Sequence, residues 1–102
     1  MGSIENSIKK LLIDAFSPSI LSINNESYMH NVPKDSESHF KVVLVSDNFT
    51  GLSEVNRHKS VYRALGNLLN SIHAISIFSF DEKEYKNNPI ILDSPNLSLI
   101  HI

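Results

Sequence analysis

The chain has 102 residues, 41% of them hydrophobic, and its 9 basic and 11 acidic side chains leave a formal net charge of −2. This length is that of one domain, and the near-neutral charge argues against a protein that grips nucleic acid through many phosphate contacts, although a local basic face stays open. There is no cysteine, which excludes disulfides, thiol nucleophiles and thiolate metal ligands supplied by the chain itself.

The first predicted element is an amphipathic helix near the N-terminus. Apolar residues recur there at helical spacing, and Ser3 in front of them is a suitable N-cap. Ser17 and Pro18 end the pattern, because the residue before a proline avoids the helical conformation. The apolar positions of this helix are Ile4, Ile8, Leu11, Leu12 and Phe16.

Two strands joined by a long loop follow this helix. Residues 20–28 approach the alternation of a half-buried strand, and residues 39–46 form the clearest strand because they are rich in β-branched side chains. Asn31, Pro33 and Asp35 mark the segment between them as a loop. We therefore predict an antiparallel hairpin with the kind of long loop that often carries function.

A second helical segment and a third strand complete the predicted domain. Ser53 caps a helix over residues 53–70, and periodicity does not reveal whether this helix is broken. Residues 72–80 are predicted to form a strand and residues 81–86 a short helix. The tail from residue 87 contains two prolines, and the sequence leaves open whether it is disordered or packs on a neighbour. The helix has a predicted apolar stripe at Val55, Val61, Tyr62, Leu65, Leu68 and Leu69, and a predicted outward face at Arg57, Ser60, Arg63 and Asn67.

This α-β-β-α-β order predicts an α+β fold, with a three-stranded sheet covered on one face by helices. Two strands joined by a helical crossover within one sheet normally run parallel, so the second and third strands begin at the edge that also holds the hairpin loop. That edge brings together His30 from the loop, His39 at the start of the second strand and His73 at the start of the third. His58 is expected toward the other end of the molecule, and His101 lies in the tail.

Imidazoles that meet at one rim are suited to a borderline or soft metal. Two or three histidines without a carboxylate are an incomplete site for zinc, so we expect half of a shared site in which a partner supplies thiolates. Iron–sulfur clusters accept two histidines on one iron, as Rieske centres show. The simpler alternative is that histidines at strand ends are only solvated or bonded to a backbone carbonyl.

The chain shows no membrane or export signal. Its longest aliphatic run covers only residues 42–45, whereas a membrane-spanning helix needs about 20 apolar residues. The N-terminus lacks the apolar stretch of a signal peptide. We therefore expect an intracellular, cytoplasmic protein.

Five short motifs together resemble the BolA family. They are HNVP at residues 30–33, ESHFKVVLVS at 37–46, FTG at 49–51, NRHK at 56–59 and HA at 73–74. The likeness covers about residues 10–80 in one register and is greatest to bacterial members. It implies a mixed sheet in an α-β-β-α-α-β-α fold similar to class II KH domains, with the second helix split. It also implies a BolA-like domain over residues 1–86 and a C-terminal tail over residues 87–102.

The resemblance implies a non-enzymatic partner of monothiol glutaredoxins that works in iron–sulfur trafficking or iron sensing. In that family the positions of His73 and His30 ligate a [2Fe–2S] cluster that bridges the two proteins, and the glutaredoxin cysteine and glutathione provide sulfur ligands. Both positions carry histidine here, and no cofactor is expected to bind tightly to the chain alone. His39 and His58 also match family positions, but we do not expect them to be ligands. We expect His39 to be a hydrogen-bonded strand-edge histidine and His58 to cap or pack within the helical layer.

The alternative that the resemblance implies is a DNA-binding transcriptional regulator of stress and morphology genes. Arg57, Lys59 and Arg63 would then supply phosphate contacts from a helix pair similar to a helix-turn-helix, although a solvated helix face is the simpler explanation of this modest cluster. The G-x-x-G loop of KH domains is absent, so KH nucleotide binding does not transfer. The chain also lacks a nucleophile elbow and a glycine-rich phosphate loop, and we expect no catalytic residue.

Overall fold

The computed structural model describes residues 2–27 and 36–87 of the chain. Most of the predicted hairpin loop and of the C-terminal tail therefore lies outside the described residues. No helix within the described ranges is both long and apolar enough to cross a membrane. The elements are, in chain order, α1 (Ser3–Phe16), β1 (Ile20–Asn25), β2 (His39–Val45), α2 (Glu54–Leu65), β3 (Ala74–Phe80) and α3 (Glu82–Asn87), with 3-10 helices at Asp47–Phe49 and Gly66–Ser71.

The three strands form one mixed sheet in the order β1-β2-β3. β1 runs antiparallel to β2, with Ile20 opposite Val45. β3 runs parallel to β2, with Ala74 opposite His39. The sheet therefore has the predicted antiparallel pair and parallel crossover, and the predicted α+β class is confirmed.

The main core lies between one face of the sheet and the helices α1 and α2. Val42 and Leu44, which alternate along β2, share this core with Leu12 of α1 and Val61 of α2. All four side chains are fully buried. Burying a side chain of this size stabilises the fold by roughly 1.5–3 kcal/mol relative to exposure. The other buried members of this core are Ile8, Phe16, Phe40, Phe49, Leu65 and Ile77.

A smaller apolar cluster lies on the opposite face of the sheet. Val43 is buried there and packs against Phe78 and Phe80 of β3. Tyr85 of α3 completes the cluster, with its ring 5.8 Å from that of Phe80. The sequence predicts helices on only one face of the sheet. The short helix α3 packs against the other face.

The second helical segment is split into α2 and a 3-10 helix. α2 ends at Gly66, whose N–H bonds to the carbonyl of Tyr62 and whose φ of +55° favours glycine over other residues. The chain then continues as a 3-10 helix to Ser71. This break, which periodicity does not resolve, agrees with the split that the BolA resemblance implies.

The buried face of α2 is rotated from the predicted one. Val55 and Tyr62 of the predicted apolar stripe are 62% and 43% exposed, whereas Arg57 of the predicted outward face is only 6% exposed. The buried line consists of Arg57, Val61 and Leu65, which are four residues apart and so lie above one another on the helix. The predicted outward position of Arg57 is wrong because this guanidinium finds polar partners inside the fold.

The N-terminus of α1 is capped by a distant carboxylate. Glu37 accepts hydrogen bonds from the N–H groups of Ile4 and Glu5, at 3.3 and 3.0 Å. Ser3, the predicted N-cap, is the first helical residue, and Gly2 occupies the cap position without a side chain. A Cβ atom on Gly2 would overlap with the Glu37 carboxylate, so the glycine leaves the space that this cap needs.

Candidate functional site

The starts of β2 and β3 lie side by side and bring two histidines together. His39 opens β2, and His73 directly precedes β3. The carbonyl of Ser38 accepts hydrogen bonds from the N–H groups of His73 and Ala74, at 2.9 and 3.0 Å, which joins the two strand starts. The centroids of the His39 and His73 rings are 5.0 Å apart, with 46° between their planes. The predicted convergence of these two histidines at one edge of the sheet is confirmed, and we name the pair and Ser38 the histidine rim.

His73 is the more accessible of the two rim histidines. Its side chain is exposed, whereas that of His39 is half-buried. His73 borders a shallow groove of about 340 Å³ that lies between the end of the helical segment and β3. The other residues around this groove are Tyr62, Leu69, Ile72, Ala74 and Ile75. An exposed imidazole beside an open groove can reach an atom that a docked partner presents.

His39 is held by a chain of serine side chains. Its Nδ1 lies 2.7 Å from the Ser38 hydroxyl oxygen, which is in turn 3.3 Å from the Ser27 hydroxyl oxygen. Ser27 is buried and its Oγ also accepts the N–H groups of Ser38 and His39, at 2.9 and 3.1 Å. The prediction of a hydrogen-bonded histidine at the strand edge is therefore confirmed for His39.

The remaining histidines stand apart from the observed rim or outside the described residues. His30, the predicted second ligand, lies within residues 28–35, and His101 lies in the tail, so the structure does not describe either position. The role of His30 therefore stays a prediction. His58 is half-buried on α2, with its ring 6.3 Å from that of Tyr62, in keeping with a packing role.

The described residues do not form a complete metal-binding site by themselves. Within residues 2–27 and 36–87, no group of three or more His, Cys, Asp or Glu side chains is placed to hold a metal ion. The histidine rim presents two imidazoles, and only borderline or soft metals favour such nitrogen ligands. A metal bound at this rim would need additional ligands from His30, from another molecule or from both.

Arg57, the first residue of the predicted basic face, is engaged inside the fold. Its Nε donates to the carbonyl of Leu52 at 2.9 Å, and its Nη1 donates to the carbonyl of Ser79 at 3.3 Å. Both Nη atoms also bond to the Glu84 carboxylate, and the guanidinium carbon lies 5.9 Å from the centre of the Phe49 ring. In this arrangement its guanidinium is not presented to a phosphate, contrary to the expected DNA contact. Lys59 and Arg63 are exposed on α2.

Glu84 forms a reciprocal cap with Asp81 at the start of α3. It accepts a hydrogen bond from the N–H of Asp81 at 2.8 Å, and Asp81 accepts one from the N–H of Glu84 at 2.8 Å. The hydrogen bond to Arg57 lowers the pKa of Glu84, and the same bond raises the pKa of Arg57. The spacing of an acidic residue followed by glutamate three positions later is a capping-box pattern and could have indicated this role.

The comparison with protein families agrees with this arrangement of elements and motifs. The family model described as "BolA-like protein" matches residues 12–84. The chain belongs to the BolA family. The predicted resemblance is thereby confirmed over most of the described chain.

Individual BolA relatives come from bacteria and from eukaryotes. A BolA-like protein of Dictyostelium discoideum is 50% identical over 90 residues, which cover 86% of this chain and 79% of the relative. The protein named DNA-binding transcriptional regulator BolA in Vibrio cholerae is 48% identical over 84 residues, which cover 81% of this chain and 79% of the relative. The likeness is therefore not confined to the bacterial branch.

The fold also matches solved BolA structures. The solution structure of BolA1 from Mus musculus superposes with a TM-score of 0.81 at 37% identity, covering 93% of this chain and 79% of that one. BolA1 from Arabidopsis thaliana superposes with a TM-score of 0.74 at 34% identity, covering 82% of this chain and 98% of that one. These matches establish the BolA fold for the arrangement that carries the histidine rim.

Proposed function

We propose that this BolA-family protein is a non-enzymatic cytoplasmic adaptor that pairs with a monothiol glutaredoxin through a shared [2Fe–2S] cluster. It would serve in iron–sulfur trafficking or iron sensing. The observation that carries the proposal is the exposed imidazole of His73 at the histidine rim, where a docked partner can reach it. His30 is the proposed second ligand from this chain.

The chemistry of the available ligands favours a shared site over a site within one chain. The chain has no cysteine, and the described residues hold no group of three side chains that could ligate a metal. An iron–sulfur cluster needs four ligands in total and accepts two histidines on one iron. The remaining two ligands would be the cysteine thiolate of the glutaredoxin and the thiolate of glutathione.

A reconstitution experiment tests this proposal. The purified protein is mixed with a cluster-loaded monothiol glutaredoxin, and visible absorption and circular dichroism spectra are recorded. We expect the wild-type protein to change the spectrum, because its histidines replace some of the ligands that hold the cluster beforehand. The variants His73→Ala and His30→Ala should reduce that change. His58→Ala is the matched control, because this half-buried histidine lies on α2, and it should behave as the wild type does. An unchanged spectrum with the wild-type protein would refute the proposal.

A second candidate function is sequence-specific DNA binding that regulates stress and morphology genes. Two observations favour it: the Vibrio cholerae relative is named a DNA-binding transcriptional regulator, and Lys59 and Arg63 are exposed on α2. Binding to promoter and scrambled duplexes should be measured across salt concentrations, with Lys59→Ala and Arg63→Ala as variants. Preference for the promoter that both variants weaken would support this function, whereas equal and steeply salt-dependent binding would show only non-specific phosphate contact.

A further inference from the structure

The Ser27 hydroxyl group is a buried acceptor between the end of β1 and the start of β2. Its oxygen accepts a hydrogen bond from the N–H of Ser38 at 2.9 Å and one from the N–H of His39 at 3.1 Å. A serine oxygen has two lone pairs, so it can accept both bonds at once. Ser27 is only 4% exposed, so these bonds lie in the protein interior, where hydrogen bonds are stronger than in water. One side-chain oxygen therefore holds two successive backbone groups of the histidine rim.

Ser27 is itself held by the neighbouring chain. Its N–H donates to Oδ1 of Asn25 at 3.0 Å, which is an Asx turn, and Nδ2 of Asn25 donates to the carbonyl of Ser36 at 2.9 Å. The N–H of Glu26 donates to the carbonyl of His39 at 2.7 Å. The hydroxyl is therefore carried by a backbone that is fixed against the residues in front of β2 and against β2 itself.

Ser38 passes this restraint on to the start of β3. Its N–H is held by the Ser27 oxygen, and its carbonyl accepts hydrogen bonds from the N–H groups of His73 and Ala74, at 2.9 and 3.0 Å. Because these groups belong to one residue, a shift of Ser38 disturbs the bonds on both sides of it. A single residue thus separates the Ser27 hydroxyl from the backbone of His73.

The imidazole of His73 depends on these restraints for its position. Its side chain is exposed, and its ring lies beside that of His39, with 5.0 Å between the centroids. The backbone of His39 is held by the Ser27 oxygen as well. Both the backbone of His73 and the residue that its ring contacts are therefore tied to the same buried hydroxyl.

We infer that Ser27 is a positioning residue for His73: its buried hydroxyl holds the backbone of Ser38, which in turn holds the backbone of His73 where this histidine can ligate iron. The inference rests on the proposed function. Residues that orient a metal ligand without touching the metal commonly matter, and their loss lowers metal affinity by roughly 10–100-fold. Ser27 would act in this way through two hydrogen bonds in series.

The link between Ser27 and His73 can be measured in the free protein by amide hydrogen exchange. Ser27→Thr and Ser27→Val form the matched pair, because both side chains are β-branched and similar in shape, and only threonine retains the hydroxyl oxygen. We expect faster exchange in Ser27→Val than in Ser27→Thr at Ser38 and His39, and also at His73 and Ala74. The amides at the far end of β2 should exchange equally in the two variants. Equal protection of His73 and Ala74 in both variants overturns the inference.

The effect on the ligand is tested in the cluster-loaded heterodimer with the glutaredoxin, by following the decay of the visible absorption. We expect Ser27→Val to lose the cluster about tenfold faster than Ser27→Thr, in line with the usual effect of such orienting residues. Ser27→Ala, compared with the wild type, repeats the test without an added methyl group and should show the same acceleration. The control for lowered stability is Val45→Ala, a buried position at the opposite end of β2, which should keep the wild-type rate.

The contrary outcomes are distinct. Equal rates of cluster loss in Ser27→Thr and Ser27→Val, with Ser27→Ala like the wild type, overturn the inference and leave the proposed function standing. Loss in Val45→Ala as fast as in Ser27→Val would make the effect one of general stability and also overturn it. If the wild-type protein accepts no cluster, the proposed function fails and the positioning role fails with it.

Discussion

The side chains of Arg57 and Glu84 join α2 to α3 through two parallel hydrogen bonds, from Nη1 to Oε1 at 2.7 Å and from Nη2 to Oε2 at 3.1 Å. Arg57 is buried, whereas the Glu84 side chain is 46% exposed, so water reaches only one side of the pair. The same guanidinium donates to the carbonyls of Leu52 and Ser79. Arg57 therefore connects four segments of the chain, and its role in this structure is to hold them together.

Replacing Arg57 with alanine should lower the free energy of unfolding by about 2–4 kcal/mol. The substitution removes a buried charged group from its ion pair and leaves two carbonyl groups without their donor. Urea unfolding curves measure the change. Arg63→Ala, on the exposed face of the same helix, is the matched control and should stay within about 0.5 kcal/mol of the wild type. Equal losses in both variants would contradict the structural role of Arg57.

The contribution of Glu84 to stability should depend on pH. The hydrogen bond from Arg57, followed in size by the backbone hydrogen bond at Asp81, holds the pKa of Glu84 below its ordinary value of 4.5. Because the folded-state pKa is the lower one, the stabilisation is complete above that ordinary value and is lost as pH falls through the folded-state pKa. Glu84→Gln should therefore destabilise the protein at neutral pH and approach the wild type in acid.

Urea midpoints of wild type and Glu84→Gln, measured from neutral pH down to about pH 3, check this dependence. The difference between the two proteins should shrink steadily below the ordinary pKa of a glutamate. Glu82→Gln, an exposed residue on the same helix, is the control and should follow the wild-type profile closely. A difference that stays constant over the whole range would show that the charge of Glu84 contributes nothing.

Glu37→Ala should destabilise the protein by about 1 kcal/mol, the typical effect of removing a helix cap. The carboxylate accepts from the N–H groups of Ile4 and Glu5, and its charge also interacts favourably with the helix dipole. In a domain of this size the melting temperature should fall by about 4–8 °C. Lys10→Ala, at an exposed position of the same helix, should melt close to the wild type. If Glu37→Ala has the same melting temperature as Lys10→Ala, the cap contributes nothing to stability.

The position of the histidine rim could be predicted from the sequence because it depends on topology. The β-branched run of β2 and the length of the helical crossover predict two parallel strands that begin at one edge. His39 and His73 stand at those two starts, and their rings are indeed 5.0 Å apart. The position of His30, the proposed second ligand, depends on the path of a long loop, which local sequence patterns do not determine.

The polar partners of the helices could not be predicted in the same way. Periodicity assigns charged side chains to solvent, and it therefore misplaced Arg57, whose partner Glu84 is 27 residues away in the chain. Glu37 is likewise 33 residues from Ile4, the helical N–H that it caps. Such pairs form only after the elements are packed, so the spacing of residues within one element carries no information about them.

Pulsed electron paramagnetic resonance reveals whether His73 of this protein ligates iron in the proposed cluster shared with the glutaredoxin. The protein is labelled with ¹⁵N-histidine, combined with an unlabelled cluster-loaded glutaredoxin and reduced. We expect a ¹⁵N coupling typical of a directly bound imidazole, which is lost or reduced in His73→Ala. A heterodimer whose reduced cluster shows no ¹⁵N coupling, or the same coupling in wild type and His73→Ala, would contradict it.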